Sequence, residues 1–125
     1  MMRQRLLRDS KMIIAWSAEI DAILSIGRPL FPEHRNWALS RPEALSALAE
    51  LRKRGIGVLG GDLLVFQSGR FEHTYDNWHC DPVEHERNDV FVNRSINAAI
   101  GYVEAYPEGE SPPFFVIVPL RTPCA

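Results

Sequence analysis

At 125 residues the chain has the length of one domain and leaves no room for a second core. A hydrophobic share of 46% with 24% charged residues excludes a disordered or fibrous chain, and a formal charge of −2 argues against a general nucleic-acid binder, which needs a basic face for the phosphate backbone. Cys80 and Cys124 make no disulfide framework, no secretory leader is recognisable, and no run approaches the roughly 20 apolar residues of a membrane span, so the expected location is the cytoplasm.

Residues 1–11 carry Arg3, Arg5, Arg8 and Lys11 against one acid, Asp9, without apolar periodicity. They read as a loose basic tail ahead of one α+β domain over 12–125, and Met12 is an alternative start. Ser17 is an N-cap candidate, and Ile20, Ile23 and Leu24 recur at helical spacing until Gly27, which predicts a first helix over 17–26. The two prolines of GRPLFPEHRNW make that stretch a loop. A second helix follows: Ser40 and Glu43 form a capping-box pattern, Pro42 lies in the first turn, Leu45, Leu48 and Leu51 mark the apolar face, and Gly55 supplies the stop.

Three strand-like pieces come next, IGVL, DLLVFQ and RFEHTY, the last two joined across Ser68 and Gly69 at hairpin spacing. After a loop, DNWHC, the run Asp81, Pro82, Glu84 matches helix-start chemistry. Val92, Ile96, Ala99, Ile100 and Val103 then lie on one face of a long third helix that ends before Pro107. EGESPP is a turn and FFVIVPL a buried strand. The expected fold is α+β, with about three helices packed on one face of a small, mostly antiparallel sheet of about four strands.

The stretch GIGVLGGDLLVF is rich in glycine within a strand pattern. A Walker loop needs lysine and then serine or threonine after its last glycine, whereas Gly61 is followed by Asp62, Leu63 and Leu64. A dinucleotide fingerprint needs a helix there, and Asp62 would set a negative charge where a pyrophosphate belongs. What survives is a structural role for Gly60 and Gly61, a bulge, a positive φ or a close backbone approach. Asp62 then caps local amides or faces a partner. Trp16 and Trp37 read as core anchors.

Between residues 72 and 89 six acids, Glu72, Asp76, Asp81, Glu84, Glu86 and Asp89, meet one base, Arg87, while Arg52, Lys53 and Arg54 gather elsewhere. The near-neutral total conceals a polarised molecule. Tyr75 and Trp78 are interleaved with the acids, which suits a protein-binding patch; Trp78 equally suits a core position beneath the loop. His73, His79, Cys80 and His85 invite a zinc reading, but the spacing is poor and adjacent His79 and Cys80 point apart in an extended segment. Cys80 beside His79 is likewise a weak nucleophile and base pair, because adjacency in sequence is not pairing in space. No catalytic residue, metal or cofactor is expected. The alternative from another class is a small enzyme or metal protein using His73, His79 and Cys80.

The segments NWALSRPEAL, GIGVLGGD, YDNW, RSINAAIGYVEAY and FFVIV, in this order, resemble the immunity protein 40 family of bacterial polymorphic toxin systems, over about Ser17 to Leu120. The family pattern falls on Trp37, Ala38, Leu39, Gly60, Gly61, Asp62, Tyr75, Asp76, Asn77 and Trp78; the stretch from Glu84 to Asp89 departs from it. The resemblance implies a protein that binds and neutralises a cognate toxin domain, with no nucleic acid and no membrane as partner. Joined to the acidic segment, it makes Asp62, Tyr75, Asp76, Trp78, Asp81, Glu84 and Glu86 the candidate partner-binding residues, and Gly60, Gly61 and Trp37 the structural ones.

Overall fold

A computed structural model describes residues 17–120. The basic stretch 1–11, Met12, Trp16 and Cys124 lie outside the described residues. Helix α1, Ala18–Leu24, starts where Ser17 accepts the amide of Ile20 at 3.2 Å and buries Ile20, Ile23 and Leu24. Helix α2, Arg41–Lys53, carries the full capping box: Ser40 Oγ accepts from Glu43 N, and Glu43 Oε1 accepts from Ser40 N at 2.9 Å. Gly55, at φ 69°, turns the chain out of it toward the sheet.

The sheet has the order β4-β3-β5, with β3 at Gly57–Gln67, β4 at Arg70–His79 and β5 at Pro113–Leu120, all antiparallel. Helix α3, Asn88–Ala105, lies between β4 and β5 in sequence and packs with α1 and α2 on one sheet face. The core there joins Ile20, Leu48, Leu51, Ile96 and Val103 of the helices to Val58, Leu63, Trp78, Phe115 and Ile117 of the sheet. The three helices and the α+β class are as expected.

Several finer expectations change. IGVL and DLLVFQ are one strand, β3, which runs through Gly60 and Gly61 without a turn and absorbs the irregularity as a register shift between Val58 and Gly60. The main sheet therefore has three strands. DNWHC is not a loop up to His79: beyond a bulge at Tyr75, φ 70°, residues Asn77, Trp78 and His79 pair with Asp62, Gly61 and Gly60. The presumed loop after α1 holds a two-stranded ladder, β1 at Arg28–Pro29 with β2 at Trp37–Ala38. Asn36 fastens it to the sheet, donating from Nδ2 to the Ile117 carbonyl at 2.9 Å while its Oδ1 accepts the Trp37 amide at 2.8 Å.

The third helix begins at Asn88, with Arg87 as its N-cap, and not at Asp81. The residues before it are held in another shape. Glu86 Oε1 accepts the Val83 amide at 2.9 Å, Glu86 N donates back to the Val83 carbonyl, and His85 sits at φ 67°, which helical backbone does not allow. Arg94 then bonds the Asp81 carbonyl and both Glu86 oxygens, so a side chain of the helix itself fixes the segment that precedes it.

Candidate partner-binding face

Alternation along β3 puts Asp62, Leu64 and Phe66 on the face turned away from the helices. Opposite them on β5 stand Val116 and Phe114. The β1–β2 ladder covers part of this face, where Ala38, Leu64, Phe114 and Val116 form a second small core with Leu30 and Phe71. The rest stays open as a groove of about 1020 Å³ between the 29–36 segment and the β3–β4 hairpin, lined among others by Phe31, His34, Asp62, His73, Tyr75 and Val118. Aromatic rings border it: Phe31 is 48% exposed, and Tyr75 is 85% exposed with its ring stacked on His73 at 6.0 Å. Exposed large rings around a concave sheet face are the composition of a protein-contact surface.

Charge is distributed unevenly there. Arg35 forks Asp21 at 3.0 and 2.7 Å, and Glu72 accepts from Gln67 at 2.8 Å and from Arg70 at 3.2 Å, bonds that in this order hold its carboxyl below the ordinary range. The carboxylates of Asp62 and Glu33, which both line the groove, have no hydrogen bond or ion pair among the described residues.

The seven candidate contact residues are scattered by the fold over different environments. Asp62 and Tyr75 both line the groove. Asp76 is exposed and accepts the Tyr106 hydroxyl at 2.6 Å, a bond that, first among its causes, raises the Tyr106 phenol. Trp78 lies in the helix-side core, stacked on Tyr102 at 4.9 Å, with its Nε1 buried and unpartnered among the described residues. Asp81 and Glu84 are exposed, and Glu84 approaches His85. Glu86 is fixed inward: only 8% of its side chain is exposed, and Arg94, ahead of the Val83 amide, holds its carboxyl down to about 2. Trp37 is buried against the edge of Phe31, and Gly60 and Gly61 pass directly beneath Trp78.

The residues of the alternative reading are not assembled. His73 lines the groove, His79 is exposed, and Cys80 is buried with Phe91 and Leu120, its sulfur 3.1 Å from Arg94 Nη1. Among the described residues no three His, Cys, Asp or Glu side chains are grouped to hold a metal ion, and no helix is long and apolar enough to cross a membrane. Sequence reasoning missed Phe31, His34 and Phe66. The period of two in DLLVF carried the signal for Phe66, since it shares a face with Asp62. For Phe31 and His34 no periodic signal exists, because a two-residue ladder is too short to show one.

A family model described as Immunity protein 40 matches residues 25–119. No curated protein and no solved structure matches the chain significantly.

Proposed function

The chain belongs to the immunity protein 40 family, and from that premise we propose that it binds and neutralises a cognate toxin domain of a bacterial polymorphic toxin system, in the cytoplasm, by stoichiometric block. The family match over residues 25–119 carries this reading. Neutralisation of this kind is complementarity at a surface and needs neither a catalytic group nor a cofactor. We assign the contact to edge strand β4 and the groove it borders, through Asp62, Tyr75 and Asp76, with Asp81 and Glu84 extending the acidic edge. Trp78 and Glu86 support that surface from below, since one is buried in the core and the other is held by Arg94.

The test is co-expression with the toxin domain encoded beside this chain. Growth should be rescued, and the purified pair should run as one complex of fixed stoichiometry in size exclusion with light scattering. A toxin domain that stays fully active in a molar excess of the chain defeats the proposal.

A further inference from the structure

Asp62 is unlike the other carboxylates of the described chain in where it stands. It projects from the central strand, half-buried, beside Leu64 and opposite Val116. A carboxylate on such a floor loses hydration without gaining a partner, a cost that folds offset by pairing or avoid by substitution. Neither has happened within the described residues. The permanent cations that line the groove are already engaged, Arg35 by Asp21 and Arg70 by Glu72, so they leave Asp62 and Glu33 as its uncompensated charges. Arg28 has its guanidinium over Phe66 and Phe114, at the far end of the same face.

Two residues from Asn77, the β4 partner of Asp62, the backbone of the same groove leaves regular strand geometry. Tyr75 is held at φ 70° by the bulge in β4, and its ring stands out in solvent against the ring of His73, 25° from parallel. An exposed aromatic face and an unpaired carboxylate lining one groove are together complementary to one kind of side chain. The guanidinium of arginine can bond a carboxylate through two N–H groups while its plane stacks on an aromatic ring. Lysine offers the charge without the plane.

We infer that the groove is a socket for one arginine of the bound toxin domain, with Asp62 receiving the guanidinium and Tyr75 and His73 flanking it. This rests on the toxin-binding reading and adds to it the anchoring residue and the chemistry of what it holds.

The experiment measures affinity for the toxin domain encoded beside this chain, in an inactivated form, against wild type, Asp62→Asn, Tyr75→Ala and, as a control on the helix side, Glu104→Gln. Asp62→Asn preserves shape and removes a half-buried charge that has no side-chain partner among the described residues, so its melting temperature should hold or rise while affinity falls roughly tenfold or more. Tyr75→Ala should weaken binding in the same sense and Glu104→Gln should not. Replacing toxin arginines one at a time should find one whose loss is no longer additive with Asp62→Asn. If Asp62→Asn binds within about twofold of wild type and still neutralises the toxin, the socket is wrong and the toxin reading stands. If wild type neither binds nor neutralises, both fall. A chain lacking residues 1–11 should melt and bind as wild type does; a melting temperature lowered by that deletion in wild type but not in Asp62→Asn would show that the basic segment with Arg3, Arg5 and Arg8 is what pairs with Asp62, and would overturn the inference.

Discussion

The indole of Trp78 lies directly on Gly61: a methyl group built there would stand 2.4 Å from Trp78 Cη2 and 2.2 Å from the Val116 carbonyl oxygen. Its neighbour Gly60, at φ 150°, would bring a methyl 2.2 Å from the Trp78 carbonyl. The glycine pair makes room for a tryptophan and for two neighbouring strands, and no ligand is needed to explain it.

Gly61→Ala should therefore cost about 1–3 kcal/mol through overpacking, and Gly60→Ala a similar amount through its backbone conformation. Gly61→Val should cost more. Urea unfolding gives the numbers, and partner binding should fall only as far as the folded fraction does. A Gly61→Val chain of wild-type stability that has lost its partner would instead assign the glycines to the interface.

The order of elements was legible because the first two helices carry their own punctuation, and the capping box at Ser40 and Glu43 needs nothing from the rest of the chain. The start of α3 was not. Asp81, Pro82 and Glu84 are good helix-start residues by local chemistry, but Glu86 and Arg94 bind the segment in another shape, and that contact spans eight residues with no periodic trace. The acidic segment was legible only in part, for the same reason. Charges counted along the sequence say nothing of which are spent internally, as Glu86 is on Arg94 and Glu72 on Arg70. Asp62 and Tyr75 were both legible as residues, yet only the register of β3 with β4 and β5 brings them to one groove.

Glu86 gives a pH dependence with a definite sign. Its carboxyl is lowered from the ordinary 4.5 to about 2 in the folded chain, so the folded state favours the charged form. That stabilisation is present above pH 4.5 and is lost as pH falls toward 2. Glu86→Gln should melt lower than wild type at pH 7, and the two curves should converge in acid. Melting curves that stay parallel from pH 7 to acid would refute this account. Arg94→Ala, made in a Cys124→Ser chain, should free the 81–87 segment and speed the reaction of Cys80 with a thiol reagent, since Arg94 covers that sulfur.

Metal removal should do nothing. With His73 in the groove, His79 exposed and Cys80 buried beside Arg94, no ligand set converges among the described residues. A chelator should leave the melting temperature of the purified protein unchanged, and elemental analysis should find no stoichiometric zinc. One zinc per chain would revive the metal reading.

The acidic edge of β4 predicts a split between rate and stability. Asp81 caps no helix, because α3 starts from Arg87, so Asp81→Ala and Glu84→Gln should change folding stability by less than about 0.5 kcal/mol. If these exposed charges steer a basic partner, the same variants should slow association and leave dissociation nearly unchanged, and the wild-type association rate should fall as salt rises. Asp76 differs, since it also accepts the Tyr106 hydroxyl. Asp76→Ala should lower both stability and association rate, whereas Tyr106→Phe keeps the charge, drops the bond and should lower stability alone. Arg52→Ala, which disturbs only a surface bond to Asn93 and Asn97, controls for distant charge. Association rates that ignore both salt and the Asp81 and Glu84 variants would make this edge a solvated face and leave the groove at Asp62 as the whole of the partner contact.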